Sequence, residues 1–222
     1  MAGYFELSLL RLYIFPSDYL CSNSYLLSAN GHAVVIDPCN NKLFFQKIKQ
    51  LKIDYCFLTH EHYDHINGVN ELKTNFKCPV ICSKICADRI ENPRLNMAHY
   101  YPAFIKMQKQ EPVTDQKMII PDYCCKADNV FEYEVLINWQ GHQFFLRETP
   151  GHSPGSSSIL LDKKILFSGD TLVIGQKTYT RFPGGNPEDF QQYTLSFLRS
   201  LPKETVVYPG HYGSFLLKDA IL

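Results

Sequence analysis

The sequence lacks an excess of charge of either sign, and it lacks any long uninterrupted apolar run. Lys and Arg together number 22 and Asp and Glu also number 22, so the formal net charge is zero. A chain without excess positive charge has no bulk attraction for nucleic acid, and we expect no nucleic-acid partner. No apolar run approaches the roughly 20 residues that a membrane-spanning helix needs, so we expect no membrane partner either.

The features of a secretory signal and of a disulfide scaffold are also missing. Residues 1–16 are apolar but interrupted by Glu6 and Arg11, and they show neither a basic leading region nor a small-residue cleavage site. The eight cysteines are spread over a chain long enough to build a core without disulfides. The three-residue gaps within Cys78–Cys86 match no iron–sulfur spacing. We therefore expect reduced thiols in a cytoplasmic protein.

Hydrophobic residues make up 45% and charged residues 20% of the chain, which is a normal globular balance. Strand-like and helix-like segments alternate along it, which predicts a single layered α/β domain over residues 1–222. Strands are predicted at 33–37, 55–59, 79–82, 156–161, 164–168 and 205–208, with a hairpin over 135–147 that turns near Gln140 and Gly141. Helices are predicted at 42–51, 66–76 and 186–201, and Asn186 is expected to cap the last.

One region fits this alternation poorly. Between Lys84 and Lys126 the sequence is mixed and polar, with four prolines and scattered aromatic residues. We expect an insertion at about 84–126 that holds one or two short helices. Long irregular insertions often carry function, so this one either forms a lid over the site or is a plain surface excursion.

The strongest chemical signal is the run Thr59-His60-Glu61-His62-Tyr63-Asp64-His65, which follows one strand and precedes a helical pattern. Packing does not explain three histidines and two carboxylates within six residues. In extended chain, the side chains of His60 and His62 point the same way. Asp64 and His65 then lie on the turn into the helix and can face a second point. This arrangement suits two adjacent cations better than one.

Three further donors sit where strands or loops end. His152 lies in Thr149-Pro-Gly-His-Ser-Pro-Gly, Asp170 in Phe167-Ser-Gly-Asp-Thr, and His211 in Tyr208-Pro-Gly-His-Tyr. Ligands of open α/β proteins bind at such strand ends, so these segments and the run from His60 predict a shared metal centre. The remaining histidines, for which we expect surface or hydrogen-bonding roles, are His32, His99 and His142.

These motifs resemble those of the metallo-β-lactamase-fold hydrolase superfamily, and most closely its glyoxalase II-like branch. The pattern His-x-His-x-Asp-His is matched in full at 60–65, and the later His, Asp and His are matched by His152, Asp170 and His211. The resemblance implies an αββα sandwich, with two mixed sheets flanked by helices. It implies a first metal held by His60, His62 and His152. It implies a second metal held by Asp64, His65 and His211, with Asp170 bridging the two and Asp37 as a buried acid behind the site.

The function implied is a dinuclear metal-dependent hydrolase, in which a bridging hydroxide attacks a thioester, ester or lactone of a small molecule. Asp64 is expected to hold a metal and to accept a hydrogen bond from the nucleophile. The cofactors would be two divalent ions, with Zn the default for His-rich sites and Fe or Mn as alternatives. Many β-lactamases of this fold carry cysteine where this chain has Asp170, which disfavours antibiotic hydrolysis. Only residues 212–222 follow His211, so we expect no helical glutathione-binding domain.

Three other functions remain open at this point. A phosphodiesterase would use the same chemistry on phosphorus. Persulfide dioxygenases resemble this fold but use one iron, and the complete second set of ligands disfavours that reading. A non-catalytic binding module would keep the fold and bind metal without hydrolysing anything. The sequence does not indicate the oligomeric state.

Overall fold

The structure, a computed structural model, describes residues 10–17, 21–104 and 122–222. Six strands form the first sheet in the order β1-β2-β3-β4-β5-β6. Their bounds are Arg11–Pro16 (β1), Asn23–Ala29 (β2), His32–Ile36 (β3), Lys52–Phe57 (β4), Val80–Ser83 (β5) and Asn129–Phe131 (β6). The first three strands are antiparallel, whereas β3 to β6 are parallel, so the sheet is mixed.

The second sheet has the order β12-β11-β10-β9-β8-β7 and is also mixed, because only β10 and β11 are parallel. Its strands are Glu134–Trp139 (β7), His142–Glu148 (β8), Ser157–Leu161 (β9), Ile165–Gly169 (β10), Val206–Pro209 (β11) and Phe215–Leu216 (β12). The predicted hairpin is confirmed. Trp139 pairs with His142, and the turn residues Gln140 and Gly141 have φ of 48° and 81°, the left-handed pair that a tight hairpin needs.

Helices cover the outer faces of both sheets. They are Lys42–Ile48 (α1), Tyr63–Ile66 (α2), Val69–Phe76 (α3), Lys84–Ile90 (α4), Pro187–Asp189 (α5) and Leu195–Ser200 (α6), with 3₁₀ turns at Ala98–Tyr100 and Leu217–Asp219. The predicted cap is confirmed, because the Asn186 side chain accepts hydrogen bonds from the amides of Glu188 and Asp189. No helix in the described ranges is long and apolar enough to cross a bilayer.

Three apolar clusters separate the layers. One lies between the two sheets, where Phe57 and Phe144 meet edge to face at 5.2 Å between ring centroids. A second lies under α1, α3 and α4 and includes Phe44, Leu72 and Ile90, while a third lies under α6 and includes Leu198 and Leu166. Since each sheet buries apolar side chains on both faces, the layers stack as helix, sheet, sheet, helix. The predicted αββα sandwich is confirmed.

The region predicted as an insertion is the crossover between two parallel strands. β5 and β6 pair in parallel, and parallel neighbours are joined by a crossover rather than by a tight turn. Its first part is helix α4, which buries Cys86, Ala87 and Ile90, and the 3₁₀ turn at Ala98–Tyr100 follows. The prediction of short helices is confirmed. Residues 105–121 lie outside the described residues, so both alternatives, a lid over the site and a plain surface excursion, stay predictions.

None of the eight cysteines, all of which lie in the described ranges, forms a disulfide. Burial raises the pKa of Cys56 and of Cys86 well above the ordinary value, so these side chains are neutral and pack as small apolar groups. Three groups of side chains in the described ranges are arranged to hold a metal, and none of them includes a cysteine.

Candidate metal centre

The seven predicted ligands meet at one edge of the sandwich, beyond the ends of strands from both sheets. His60 and His62 follow β4, and Asp64 and His65 belong to the short helix α2. The second sheet supplies the others: His152 from the β8–β9 connection, Asp170 directly after β10, and His211 just after β11. Strand ends place these groups because the hydrogen-bonded sheets fix where each chain leaves its strand.

The first metal group consists of His60, His62 and His152, whose candidate ligand atoms all lie within 4.8 Å of one another. All three rings are buried. Nε2 of His152 lies 3.1 Å from Nδ1 of His62, so these two nitrogens point at a common location. The rings of His60 and His62 have centroids 4.7 Å apart, as expected for alternate residues of an extended chain.

The second metal group consists of Asp64, His65 and His211, again with candidate ligand atoms within 4.8 Å of one another. Oδ2 of Asp64 lies 3.6 Å from Nε2 of His65 and 3.5 Å from Nε2 of His211. Helix α2 has a single turn, and it brings Asp64 and His65 close to His211, whose ring centroid lies 5.4 Å from that of His65.

The carboxylate of Asp170 lies between the two groups. Its Oδ1 is 3.5 Å from Nε2 of His65, and its Oδ2 is 3.5 Å from Nε2 of His152 and 3.3 Å from Nε2 of His211. Gly210 allows this approach, because a Cβ at that position would overlap Oδ1 of Asp170 and lie 2.8 Å from Cε1 of His65. One carboxylate thus reaches donors from both groups.

Several donor atoms of the centre are buried without a hydrogen-bond partner among the described residues. They are Nε2 of His60, Nε2 of His62, Nε2 of His65 and Oδ1 of Asp170. Buried polar atoms in native proteins are nearly always satisfied, so a cluster of orphaned ones calls for a ligand. Imidazole nitrogen and carboxylate oxygen together form a donor set that suits divalent transition ions. The residues present therefore fit a metal centre.

The electrostatic balance of the site favours cations. Burial, together with the neighbouring imidazoles, lowers the pKa of His60 and of His62 well below the ordinary value, so both rings are neutral, the form that binds metal. Burial also opposes a charge on His65, but Asp64, Asp170 and Asp37 outweigh it and raise its pKa to about 10. Asp37, Asp64 and Asp170 therefore place three carboxylates around one imidazole, an arrangement that favours positive charge at this location.

Partners behind the ligands fix the orientation of the rings. Oδ2 of Asp37 lies 3.0 Å from Nδ1 of His65, and the Thr59 hydroxyl lies 3.0 Å from Nδ1 of His60. Thr59 in turn donates its backbone N–H to Oδ1 of Asp37 at 2.7 Å and its hydroxyl to Oδ2. Nδ1 of His152 lies 2.9 Å from the carbonyl oxygen of Tyr179. The contacts to His65, His60 and His152 all use Nδ1 of the ring, which leaves Nε2 of each ring to face the centre.

Asp37 also forms a candidate metal group with His60 and His65. Both of its oxygens are already engaged by Thr59, however, and the side chain is only 1% exposed. A carboxylate saturated in this way orients a ligand rather than binding the ion itself. The structure therefore supports the expected role of Asp37 behind the site.

Replacing Asp37 with asparagine is expected to weaken metal binding to the second group by about 10- to 100-fold. The asparagine amide would turn a donor toward either Thr59 or the Nδ1–H of His65, both of which donate, and His65 would lose its fixed orientation. Metal affinity measured against a competing chelator checks this. Asp54→Asn is a matched control, because Oδ2 of Asp54 lies 2.7 Å from Nδ1 of His32 in a pair remote from the centre. Equal affinities in both variants and the wild type would contradict the role.

The N-terminal strand β2 supports the His211 segment, a role that the sequence analysis missed. Asn23 donates its backbone N–H to the Gly210 carbonyl at 2.7 Å and its side-chain amide to the carbonyls of Pro209 at 3.1 Å and Tyr212 at 2.8 Å. Ser22 donates its hydroxyl to the Asp64 carbonyl at 2.9 Å. The signal available in the sequence was a polar Ser22-Asn23-Ser24 run directly before an apolar segment.

Aromatic side chains border the first metal group. The Phe182 ring lies edge-on to His62 at 5.5 Å and to His152 at 5.8 Å between centroids, and Tyr179 packs against it at 4.8 Å. Tyr179 is half exposed, so it lies at the open side of the site. Tyr63, although it sits between ligands in the sequence, is buried against Tyr101 at 4.8 Å and serves packing.

Comparison with known proteins agrees with this geometry. A sequence model of the metallo-beta-lactamase superfamily matches residues 20–211. A hydroxyacylglutathione hydrolase of Bdellovibrio bacteriovorus is 31% identical over 203 residues, which cover 89% of this chain and 64% of that protein. A probable metallo-hydrolase of Bacillus subtilis is 28% identical over 200 residues, covering 88% of this chain and 87% of that protein.

Solved structures show the same architecture. The BLEG-1 B3 metallo-beta-lactamase superposes with a TM-score of 0.74 at 26% identity, covering 94% of this chain and 95% of that one. TTHA1623, solved in a di-iron-bound form, superposes with a TM-score of 0.72 at 26% identity, covering 93% and 95%. The family match spans the whole ligand set from His60 to His211. This chain belongs to the metallo-beta-lactamase superfamily.

Proposed function

We propose that this protein is a metal-dependent hydrolase whose two divalent ions are held by the seven ligands of the centre. His60, His62 and His152 would hold the first ion, and Asp64, His65 and His211 the second. The observation that carries the proposal is the position of Asp170, whose two carboxylate oxygens face donors of both groups at 3.3–3.5 Å. A carboxylate placed in this way would be able to hold both ions.

The substrate class we propose is a thioester, ester or lactone of a small molecule. The support is the likeness to a hydroxyacylglutathione hydrolase, which covers 89% of this chain but 64% of that protein. The chemistry supplied by two bound divalent ions is a lowered pKa for water and stabilisation of negative charge on a reacting oxygen. Zn is our first choice of metal, and the likeness to a protein solved in a di-iron-bound form keeps Fe as the alternative.

The chain's own residues prepare the site for this chemistry. Asp37, Thr59 and the Tyr179 carbonyl orient three of the imidazoles before any ion binds, so little reorganisation is needed on binding. Asp64 is 7% exposed, so it can contact both an ion and the attacking water, whose hydrogen bond it would accept. Phe182 covers the His62 and His152 side of the pocket and limits the entry of bulk water there.

The proposed function is tested by metal analysis combined with an activity screen. We expect two bound ions per chain and turnover of at least one thioester, ester or lactone. A β-lactam, a phosphodiester and a persulfide complete the panel, the last with oxygen uptake recorded. Oxygen uptake with one bound iron would contradict the proposal in favour of persulfide oxidation, and two bound ions without any turnover would favour a binding module.

Metal removal is expected to destabilise the protein. Binding to the folded state alone adds about 4 kcal/mol when the free ion exceeds its Kd about 1000-fold, which corresponds to roughly 10 °C in Tm for a chain of this size. Differential scanning calorimetry with and without a chelator measures the shift, and added Zn²⁺ should reverse it. An unchanged Tm would mean that the orphaned imidazoles do not hold an ion.

A further inference from the structure

Glu61 sits between two ligands of the first metal group in sequence but faces away from them. In the extended segment from His60 to His62, alternate side chains point to opposite sides. The Glu61 carboxylate is 0% exposed, and both of its oxygens are engaged. Oε1 accepts a hydrogen bond from Nε of Arg89 at 2.5 Å, and Oε2 accepts one from the Ser153 hydroxyl at 2.9 Å. Glu61 is therefore neither a ligand nor a base.

These contacts connect the two segments that carry the first metal group. Glu61 is flanked by His60 and His62, and Ser153 directly follows His152. The hydrogen bond between Glu61 and Ser153 thus ties one ligand segment to the other on the side remote from the ions. Gly155 allows the close packing, because a Cβ there would lie 2.5 Å from Oε2 of Glu61.

Arg89 extends the same connection to the segment behind Phe182. Its Nη2 donates to the carbonyls of Leu95 and of Pro183, each at 3.3 Å. Phe182, next in the chain to Pro183, is the ring that lies against His62 and His152. The Arg89 guanidinium, on helix α4, therefore contacts the carboxylate of Glu61, which lies between two ligands in the sequence. It also contacts the carbonyl of Pro183, the residue that follows Phe182. A planar fork with several donors makes such multiple contacts, which an ammonium group does not.

We propose that Arg89 is a positioning residue for the first metal, acting through Glu61 and Ser153 on the mutual placement of His60, His62 and His152. The inference rests on the proposed dinuclear centre. In the second group, the fixed contacts run instead to Asp37, to Ser22 and to Asn23 of β2. Loss of the Arg89 fork should consequently weaken binding of the first metal and leave the affinity for the second metal unchanged.

Arg89→Lys is the sharpest test, because it keeps the positive charge beside the buried Glu61 carboxylate while removing the second arm of the fork. Titration of the metal-free protein with Zn²⁺ against a chromophoric chelator should yield two dissociation constants. We expect one of them to rise by about 10- to 100-fold and the other to stay unchanged. Anomalous diffraction from crystals soaked at limiting Zn²⁺ should show reduced occupancy beside His60, His62 and His152 only.

Two further variants make the result unambiguous. Ser153→Ala removes only the hydroxyl that joins the two ligand segments. It should raise the dissociation constant of the first metal by a smaller factor than Arg89→Lys does. This variant provides the test if Arg89→Lys fails to fold. Arg147→Lys is the matched control, since that guanidinium pairs with Glu134 at 2.6 Å on the exposed β7–β8 hairpin. It should leave both constants unchanged.

The outcomes separate this inference from the proposed function. Two unchanged constants in Arg89→Lys and Ser153→Ala would overturn the positioning role while leaving the dinuclear centre intact. Two constants that rise together with a lower Tm would also overturn it, because they would indicate general loosening of the fold. Failure of the wild-type protein to bind Zn²⁺ would overturn the proposed function, and this inference with it.

Discussion

Replacing His60 with alanine is expected to remove the ion from the first metal group and to lower kcat/KM by about 10³-fold or more. His60 is 0% exposed, and its Nε2 has no hydrogen-bond partner among the described residues, which favours the proposed role as a metal ligand. Alanine leaves a space that water can fill beside other polar groups, and the fold should persist. Metal content, circular dichroism and activity on one preparation measure the three effects together.

The matched control for this variant is His142→Ala. Nδ1 of His142 lies 2.7 Å from Oδ2 of Asp162 in the turn between β9 and β10, remote from the centre. Metal content and kcat/KM should equal those of the wild type, because an exposed pair of this kind contributes little to stability. Full activity and full metal content in His60→Ala would refute the assignment of His60.

Asp170→Asn is expected to weaken the binding of both ions and to lower kcat/KM by about 10³-fold or more. Although burial disfavours its charged form, His211 and His65 hold the pKa of Asp170 well below the ordinary value, so the side chain is ionised. Asparagine keeps the shape but removes this charge, and it places an amide N–H₂ opposite an imidazole or an ion. The two-step Zn²⁺ titration should show both constants raised, unlike that of His60→Ala.

Asp162→Asn provides the matched isosteric control. Asp162 has φ of 49°, a conformation that asparagine also adopts readily, and its Oδ1 accepts the Gln143 N–H at 2.8 Å. Neither dissociation constant should change. If Asp170→Asn raised only one constant, Asp170 would be a ligand of a single ion, and the bridging role would be wrong.

The candidate centre was predictable because its members are rare residue types at strand ends. His60 to His65 form a dense run that no packing argument explains, and His152, Asp170 and His211 each follow an apolar segment. Strand ends meet at a sheet edge whatever the loop conformations, so their convergence follows from topology. The structure brings all seven side chains together as this reasoning predicted.

The N-terminal strands were not predictable from periodicity. β2 is buried along its whole length, so it shows no alternation of polar and apolar residues. Its Asn23 and Ser24 are typical of loops, but they hydrogen-bond to the Pro209 and Asp37 carbonyls, which only the folded chain brings near. Tertiary contacts overrode the local signal.

The last helix was predicted as one regular segment, and the structure corrects this. Residues Phe190–Thr194 form a π-helical turn between α5 and α6. The Thr194 hydroxyl donates to the Pro150 carbonyl at 2.6 Å, and a Cβ on Gly151 would lie 2.6 Å from Cβ of Phe190. The helix therefore packs directly on the loop that carries His152, and a widened turn of this kind often occurs beside functional sites. Side-chain spacing alone does not encode such a turn.

Anomalous X-ray diffraction at the absorption edge of the bound metal tests the central claim most directly. The account predicts two peaks roughly 3.5–4 Å apart, one bonded to His60, His62 and His152 and the other to Asp64, His65 and His211, with Asp170 bonded to both. A single peak under saturating metal, or two peaks that do not share Asp170, would contradict it.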